Sequence, residues 1–373
     1  MSNIMDYLDW RGDLTFEQSP FNEVDNLILA QLVYANFEYI VPSVWSELDI
    51  TLEEAAQVYF SKYTNEEIEQ LTYVVRISIP LFKKMAATNR FREIRLSNFV
   101  NIIEIDSTKQ FAAICYELTD GTNYIAYRGT DNNIIGWKEN FNMSIGTTVP
   151  AQFEALTYLE QVAEKQQGLL RIGGHSKGGN LAIYASVMTS DSIKSRIIEI
   201  YNNDGPGFDE RFTKDGRYET ILERIITIVP QFSIVGKLLE HREEYIIVQS
   251  NQRMLLQHSA FSWEVLGAKF ARAEQAEKTS ELVDITLKSW LNQLDRAQRQ
   301  QFITAVFHLF DSAEIRTLDD LTSAKWKKIR EMIKVLNQSK ENKLVLTKAF
   351  KLLFSEGSKQ LLTFNREVKG KEK

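Results

Sequence analysis

The stretch GLLRIGGHSKGGNLAIYASV, residues 168–187, decides the fold. A short apolar run ends in two glycines, and apolar side chains recur at helical spacing after the second glycine pair. The stretch therefore predicts a strand, a tight turn and a helix. A G-x-S-x-G turn in that context is typical of a nucleophilic serine, because the glycines leave space and the helix N-terminus favours developing negative charge. Ser176 is the candidate nucleophile, and the alternative is a structural or phosphate-binding glycine-rich turn.

The composition is that of an ordinary globular protein. The chain has 373 residues, 44% hydrophobic and 25% charged, enough for one large domain with an appendage. Its one cysteine, Cys115, lies in an apolar run and is expected to be buried. One cysteine and four scattered histidines predict no metal site, and nothing in the sequence predicts a cofactor. The N-terminus resembles no signal peptide and no apolar window reaches membrane-spanning length, so we expect a cytoplasmic protein.

The order of predicted elements indicates an α/β fold. Two strands, 111–118 and 123–127, flank an Asp120-Gly121 turn, and further strands at 169–172, 197–201, 225–229 and 245–248 alternate with helices. This predicts a mostly parallel sheet with an antiparallel start, flanked by helices. We expect three parts: an N-terminal helical segment (1–90) packed on the core, the α/β core (91–270), and a C-terminal helical region with a basic tail (271–373).

The N-terminal part shows helical patterns of its own. One begins near Asn26, one follows a Thr51–Glu54 capping box, and one covers residues 65 to about 87. From Gly267 onward the chain has no proline and two further glycines, which favours helices.

A serine nucleophile needs a base, and each of the four histidines is a candidate. His258 follows the last strand, at the carboxyl edge of the sheet where Ser176 also lies, and is the preferred base. His241 precedes that strand, at the wrong edge, and His308 lies within an apolar helix. His175 is expected to turn its side chain away from the site and to pack.

The acid is expected between the serine and the histidine in the chain. Asp204 ends the strand at 197–201 and is preferred, with Asp209 as the second candidate. The alternatives are a turn carboxylate bonded to its own backbone and a site that works with a neutral orienting group.

Two N–H groups are needed to stabilise the oxyanion. The amide of Lys177 and Thr130, in the loop after strand 123–127, are the candidates. Arg128 in that loop is expected to form an internal ion pair. The apolar loop 230–239 could line an acyl pocket, act as a flap or start a core helix.

These motifs together resemble the class 3, or fungal-type, lipase family. The matching stretches are YRGT (127–130), Trp137 and GHSKGGNLA (174–182). Lys177 after the serine, Asn180 and the later DGPGF (204–208) resemble a bacterial branch of lipase-like proteins of unassigned function. The resemblance covers about residues 90–266 and implies an α/β-hydrolase fold, a Ser-Asp-His triad, an oxyanion threonine and ester hydrolysis on lipids. The family usually has an aspartate just before the Val-Pro of the penultimate strand, where this chain has Thr227 and Ile228.

Charge is distributed unevenly along the chain. Residues 321–373 carry a net charge of +9, so the remainder carries −15. Residues 325–337 predict a basic amphipathic helix, which either contacts an anionic membrane peripherally or packs on the core with a solvated basic face. Nucleic-acid binding is not expected, because the acidic body would repel phosphate.

The sequence therefore predicts an intracellular serine hydrolase that cleaves a small-molecule or lipid acyl ester. Acyl transfer or thioester hydrolysis by the same residues, and a catalytically silent hydrolase fold that binds a partner, are the alternatives.

Overall fold

A mixed sheet organises the part of the chain that the computed structural model describes, which is residues 2–104, 106–131, 134–144, 148–313, 315, 330, 332, 334–337, 343–356 and 358. Among these residues its eight strands follow one another in chain order. The first four are antiparallel and the pairs from the fourth to the eighth are parallel. The strands are β1 (Ile50–Thr51), β2 (Arg95–Glu104), β3 (Lys109–Glu117), β4 (Asn123–Tyr127), β5 (Leu170–His175), β6 (Ile197–Asn203), β7 (Ile225–Pro230) and β8 (Tyr245–Val248). A separate hairpin contains β9 (Val265–Leu266) and β10 (Lys269–Phe270).

The six predicted strands are confirmed, and so is the α/β-hydrolase fold class. Strand β2 was not predicted, because a bulge between Ser97 and Val100 interrupts its alternation and Asn98 takes a φ of 56° there. The predicted alternation of strands and helices is wrong at one place. Between β7 and β8 the described chain forms a 3-10 turn, Val235–Lys237, where a helix was expected.

Helices lie on both sides of the sheet. The predicted capping box is confirmed: the Thr51 hydroxyl accepts from the Glu54 amide, and the Glu54 carboxylate accepts from the Thr51 amide. The predicted helix at 65–87 is two helices, and the first helix of the chain was not predicted. The helices are α1 (Ile4–Arg11), α2 (Glu23–Leu32), α3 (Leu52–Lys62), α4 (Asn65–Glu69), α5 (Tyr73–Ala86), α6 (Ile134–Ser144), α7 (Pro150–Lys165), α8 (Lys177–Met188), α9 (Asp191–Lys194), α10 (Glu210–Thr213), α11 (Gly216–Glu219), α12 (Lys278–Asn292) and α13 (Arg296–Ser312).

The sequential strand order determines which helices cover which face. Right-handed crossovers between successive parallel strands place their helices on the same face of the sheet. That face packs α7 and α8 against Ala113, Cys115 and Ile125, and Cys115 is fully buried, as expected. The opposite face has no crossover helix, and α1, α2, α3 and α5 cover it against Tyr116 and Tyr124.

A fully buried ion pair fixes the N-terminal helices. Arg90, just before β2, donates from Nε to Oδ1 of Asp25 on α2 at 2.7 Å. The same carboxylate accepts from the Tyr7 hydroxyl of α1 at 2.9 Å. Further donors of the guanidinium reach the carbonyls of Leu14 and Ser19. The pair is therefore well hydrogen-bonded, which a buried charge requires.

The C-terminal helices have an apolar cluster of their own. Trp290 of α12 donates its indole N–H to the carbonyl of Ala349, in the helical stretch 343–356, at 2.8 Å. Phe307 of α13 contacts Phe141 of α6. Most of the predicted basic helix at 325–337 lies outside the described residues, and so does the side chain of Trp137. Among the described helices none is long and apolar enough to cross a membrane.

Replacing Arg90 with methionine tests the buried ion pair. Arg90→Met leaves the Asp25 carboxylate buried without its cation, and we expect a loss of about 3–5 kcal/mol in the free energy of unfolding. Arg95→Met is the control: its pair with Asp49 is partly exposed, so the loss stays below about 1 kcal/mol. Urea unfolding followed by circular dichroism measures both, and equal losses would contradict this role of the buried pair.

Candidate active site

Ser176 lies on a strained turn between β5 and α8. Its φ of 58° and ψ of −130° are unusual for a residue with a side chain, and its amide donates to the Asn203 carbonyl at 2.9 Å. The neighbouring glycines are required by close backbone approach. A Cβ at Gly174 would come within 2.4 Å of Gly178, and a Cβ at Gly178 within 2.1 Å of the Tyr127 carbonyl oxygen. The predicted strand, turn and helix are present.

The structure brings His258 and Asp204 together. Nδ1 of His258 lies 2.6 Å from Oδ2 of Asp204. Asp204 follows β6 with a φ of 53°, is fully buried, and donates its amide to the Ile228 carbonyl at 2.8 Å. His258 ends the 3-10 helix Met254–His258, after β8. Asp209, the second candidate, instead caps α10 by accepting from the Phe212 amide at 2.9 Å.

A serine that the sequence did not predict holds the other oxygen of this carboxylate. The Ser233 hydroxyl donates to Oδ1 of Asp204 and accepts from the Gly236 amide at 3.0 Å. Ser233 lies in the loop 230–239, which had no motif to single it out. With both oxygens bonded, the carboxylate keeps one orientation toward His258.

His175 packs inside the protein, as expected, but its side chain does not turn away from the site, and that part of the expectation is wrong. Its ring lies 4.7 Å from the His258 ring, centroid to centroid, and its Nε2 is 2.8 Å from the His258 carbonyl oxygen. A carbonyl only accepts, so Nε2 carries the proton. Burial, and next the nearby His258, lower the pKa of His175 to about 3. The residue is thus neutral at ordinary pH and holds the backbone of His258 in place. The prediction failed because the chain segment before β9 crosses the end of β5, a contact that no local pattern reveals.

A cavity of about 330 Å³ adjoins Ser176, His175 and His258. Val235 and Leu238 of the loop 230–239 belong to its wall, so this loop lines a pocket. Most of the lining is apolar, with side chains from α5, the loop 230–239 and the 3-10 helix before His258: Val74, Ile77, Val235, Leu238, Leu255 and Leu256.

The two candidate oxyanion residues also line the cavity. The Thr130 hydroxyl is buried and has no hydrogen-bond partner within the described part of the chain. Lys177 begins α8, and its side chain runs inward to Oε2 of Glu139 at 2.8 Å and the Gln110 carbonyl at 2.6 Å. Burial lowers the pKa of Lys177, and Glu139 opposes that effect. Its ammonium is therefore occupied inside the protein, while its amide begins the helix beside Ser176.

The remaining predicted positions are structural. Arg128 forms the expected internal ion pair, with Asp131 at 3.7 Å, and also donates to Asn101 at 3.0 Å. His241 is buried with its Nδ1 3.0 Å from Glu243, and His308 is exposed on α13. Among the described residues no group of His, Cys, Asp or Glu side chains is placed to hold a metal ion.

The chain belongs to the Mbeg1-like family, whose model matches residues 85–308, more than half of its length. A comparison with curated proteins found no match. Parts of the chain are also similar to solved structures of lipases. The Rhizomucor miehei lipase propeptide complex is 17% identical with a TM-score of 0.32, over 42% of this chain and 57% of that one. M37 lipase is 15% identical with a TM-score of 0.33, over 47% of this chain and 70% of that one. The match thus spans little more than half of the Rhizomucor chain.

The lowered pKa of His175 predicts a loss of stability in acid. In the unfolded chain this histidine takes up a proton near pH 6.5, whereas in the folded protein it stays neutral until about pH 3. Stability is therefore lost as pH falls through this window, by up to about 1.4 kcal/mol per pH unit. We expect His175→Gln to show a shallower decline than wild type in urea unfolding between pH 7 and pH 4.

The matched control for this series is His308→Gln, at an exposed position of α13. It should reproduce the wild-type decline. A decline that is the same in His175→Gln and wild type would contradict the neutral, buried state of His175.

Proposed function

We propose that this member of the Mbeg1-like family is a serine esterase that cleaves acyl esters, lipid esters among them. Ser176 is the nucleophile, His258 the general base and Asp204 the acid that orients it. The observation that carries the proposal is the 2.6 Å contact between His258 and Asp204 beside the strained Ser176, at the wall of an apolar cavity.

Proton transfer follows from how His258 is held. Its Nδ1 contacts the Asp204 carboxylate, so Nδ1 carries a proton and Nε2 accepts the one that leaves the Ser176 hydroxyl. The serine oxygen attacks the ester carbonyl, and the buried carboxylate stabilises the imidazolium that forms. His258 then gives the proton to the leaving alcohol. Water repeats the sequence on the acyl-enzyme, which releases the fatty or other carboxylic acid and restores Ser176.

Negative charge develops on the carbonyl oxygen during both steps. The amide of Lys177, at the N-terminus of α8, and Thr130, whose hydroxyl has no partner among the described residues, are the groups that we assign to this oxygen. Because the ammonium of Lys177 is paired with Glu139 deep inside, it adds no free charge at the site. Donors of fixed orientation stabilise the intermediate without reorganising during the reaction.

The acid at Asp204 accounts for the departure from the lipase pattern. Thr227 and Ile228 lie where the lipase family usually has an aspartate, just before the Val-Pro of the penultimate strand, and the Thr227 hydroxyl donates to Glu243. A carboxylate after β6 reaches His258 from the neighbouring strand. The missing aspartate is therefore no argument for a silent fold.

The triad is tested by hydrolysis of an acyl ester series with single variants. Ser176→Ala and His258→Ala should abolish turnover, and Asp204→Asn should lower kcat by about 10³–10⁴ because the imidazole loses its orientation. A fluorophosphonate probe should label wild type and leave Ser176→Ala unlabelled. Asp209→Asn is the matched control, and it should keep wild-type turnover while weakening the α10 cap. An unlabelled, inactive but folded wild type would refute the proposal.

The role of Thr130 is tested by Thr130→Val, which keeps the shape and removes the hydroxyl. We expect kcat to fall by about 10²-fold with little change in KM, because the lost hydrogen bond forms chiefly in the transition state. Thr130→Ser, which restores the hydroxyl, should recover most of the rate. A change in KM alone would assign Thr130 to substrate binding instead.

A further inference from the structure

Helix α2 is buried on all sides and carries three buried polar side chains. Two of them have hydrogen-bond partners within the protein. Asp25 is bonded to Arg90 and to the Tyr7 hydroxyl. Asn26 donates to Asn203 at 2.9 Å and accepts from the Tyr124 hydroxyl at 2.7 Å. On this helix, the buried carboxylate and amide that face other parts of the protein are therefore both hydrogen-bonded.

Gln31 is the exception, and it is the one that faces the cavity. It is 3% exposed, and within the described part of the chain its Nε2 has no hydrogen-bond partner. The side chain lines the same cavity as Ser176 and His258. One turn on, the Tyr34 hydroxyl bonds the Gly129 backbone, next to Thr130. A buried amide without a partner is costly, so a group that enters the cavity is the natural partner.

We propose that Gln31 binds a hydroxyl group of the substrate. The preferred substrates are then acyl esters that carry a free hydroxyl close to the reacting carbonyl, either on the alcohol part or on the acyl chain. This substrate class rests on the proposed esterase function. Gln31 lies outside the residues matched by the family model, so it acts as a specificity residue that the shared machinery does not supply.

The charges around the cavity favour a neutral partner. Asp131 and Lys177 of the lining are already paired, with Arg128 and Glu139. An anionic group would lie near the Asp131 carboxylate and a cationic group near the Lys177 ammonium, and each would have to leave water for a largely apolar cavity. A hydroxyl both donates and accepts, as an amide does, and loses little on desolvation once it is bonded. Sites built to bond a hydroxyl discriminate strongly against ligands that lack it.

The test compares three esters that differ in one hydroxyl. Propyl octanoate is the reference, 2-hydroxyethyl octanoate replaces its terminal methyl with a hydroxyl on the alcohol part, and propyl 3-hydroxyoctanoate carries the hydroxyl on the acyl part. Binding to full-length Ser176→Ala is measured by calorimetry, with and without Gln31→Met, which keeps the length of the side chain. We expect one hydroxylated ester to bind about tenfold more tightly than propyl octanoate, and Gln31→Met to remove that preference without weakening propyl octanoate.

The two hydroxylated esters show which part of the substrate lies at Gln31. Equal binding of all three esters to Ser176→Ala would overturn the proposal, and so would a hydroxyl preference that survives Gln31→Met, because a group other than Gln31 would then bind the hydroxyl. Binding is measured without turnover, so the result stands apart from the esterase proposal. If a hydroxylated ester binds more tightly but wild type hydrolyses none of the esters, the esterase proposal is refuted and the hydroxyl-binding role of Gln31 stands.

Thermal stability gives a second test. If Gln31 served the fold rather than the substrate, Gln31→Met would lower the thermal midpoint. Gln31→Met removes an unpartnered polar group from a buried position, so the thermal midpoint should stay the same or rise. Asn26→Met, on the same helix, removes an amide that is bonded and should lower the midpoint clearly. A drop in Gln31→Met as large as that in Asn26→Met would assign Gln31 to the fold and overturn the proposal.

Discussion

The sequential order of the strands is the constraint on which the rest of the structure depends. Parallel strands added one after another, each by a right-handed crossover, leave one face of the sheet without helices of its own. That face is apolar and must be covered, and the chain covers it with α1, α2, α3 and α5, which precede β2 in the chain. The fully buried pair of Arg90 and Asp25 then fixes these helices at the point where the chain enters β2. The N-terminal helices are therefore part of the core, and they reach the cavity because α2 packs directly on β5, the strand that ends at the elbow.

The elbow itself is held by its surroundings. A residue with a φ of 58° persists only where the structure around it fixes the backbone, and here the Asn203 carbonyl, two close-packed glycines and the inward side chain of Lys177 do so. The same principle extends to His258, whose ring is held by Asp204 and whose carbonyl is held by His175. Ser176 and His258 are thus each oriented by buried neighbours, which is the positioning that the proposed reaction requires.

The sequence predicted those parts of the site that lie at the ends of regular elements. Ser176, Asp204 and His258 each follow a strand that periodicity reveals, and the carboxyl ends of parallel strands share one edge of the sheet, so the sequence alone predicts that the three lie together. Among the features that escaped that reasoning, three show why. Strand β2 is interrupted by a bulge, Ser233 lies in a loop without a motif, and His175 is oriented by a segment more than eighty residues away. Tertiary packing decides all three, and a local pattern contains no information about it.

The cavity is lined by two parts of the chain, one inside and one outside the residues that the family model matches. The reacting groups lie within residues 85–308, the part shared with the Mbeg1-like family, whereas Gln31 and Tyr73 of its wall precede that part. A fold supports many chemistries when its machinery is kept and its surroundings vary. The N-terminal helices cover the sheet and also contribute side chains to the cavity wall, whereas the elbow is formed by β5 and α8. The face of the sheet without crossover helices thus has a second consequence: the segment that completes the core also forms part of the wall of the cavity beside Ser176.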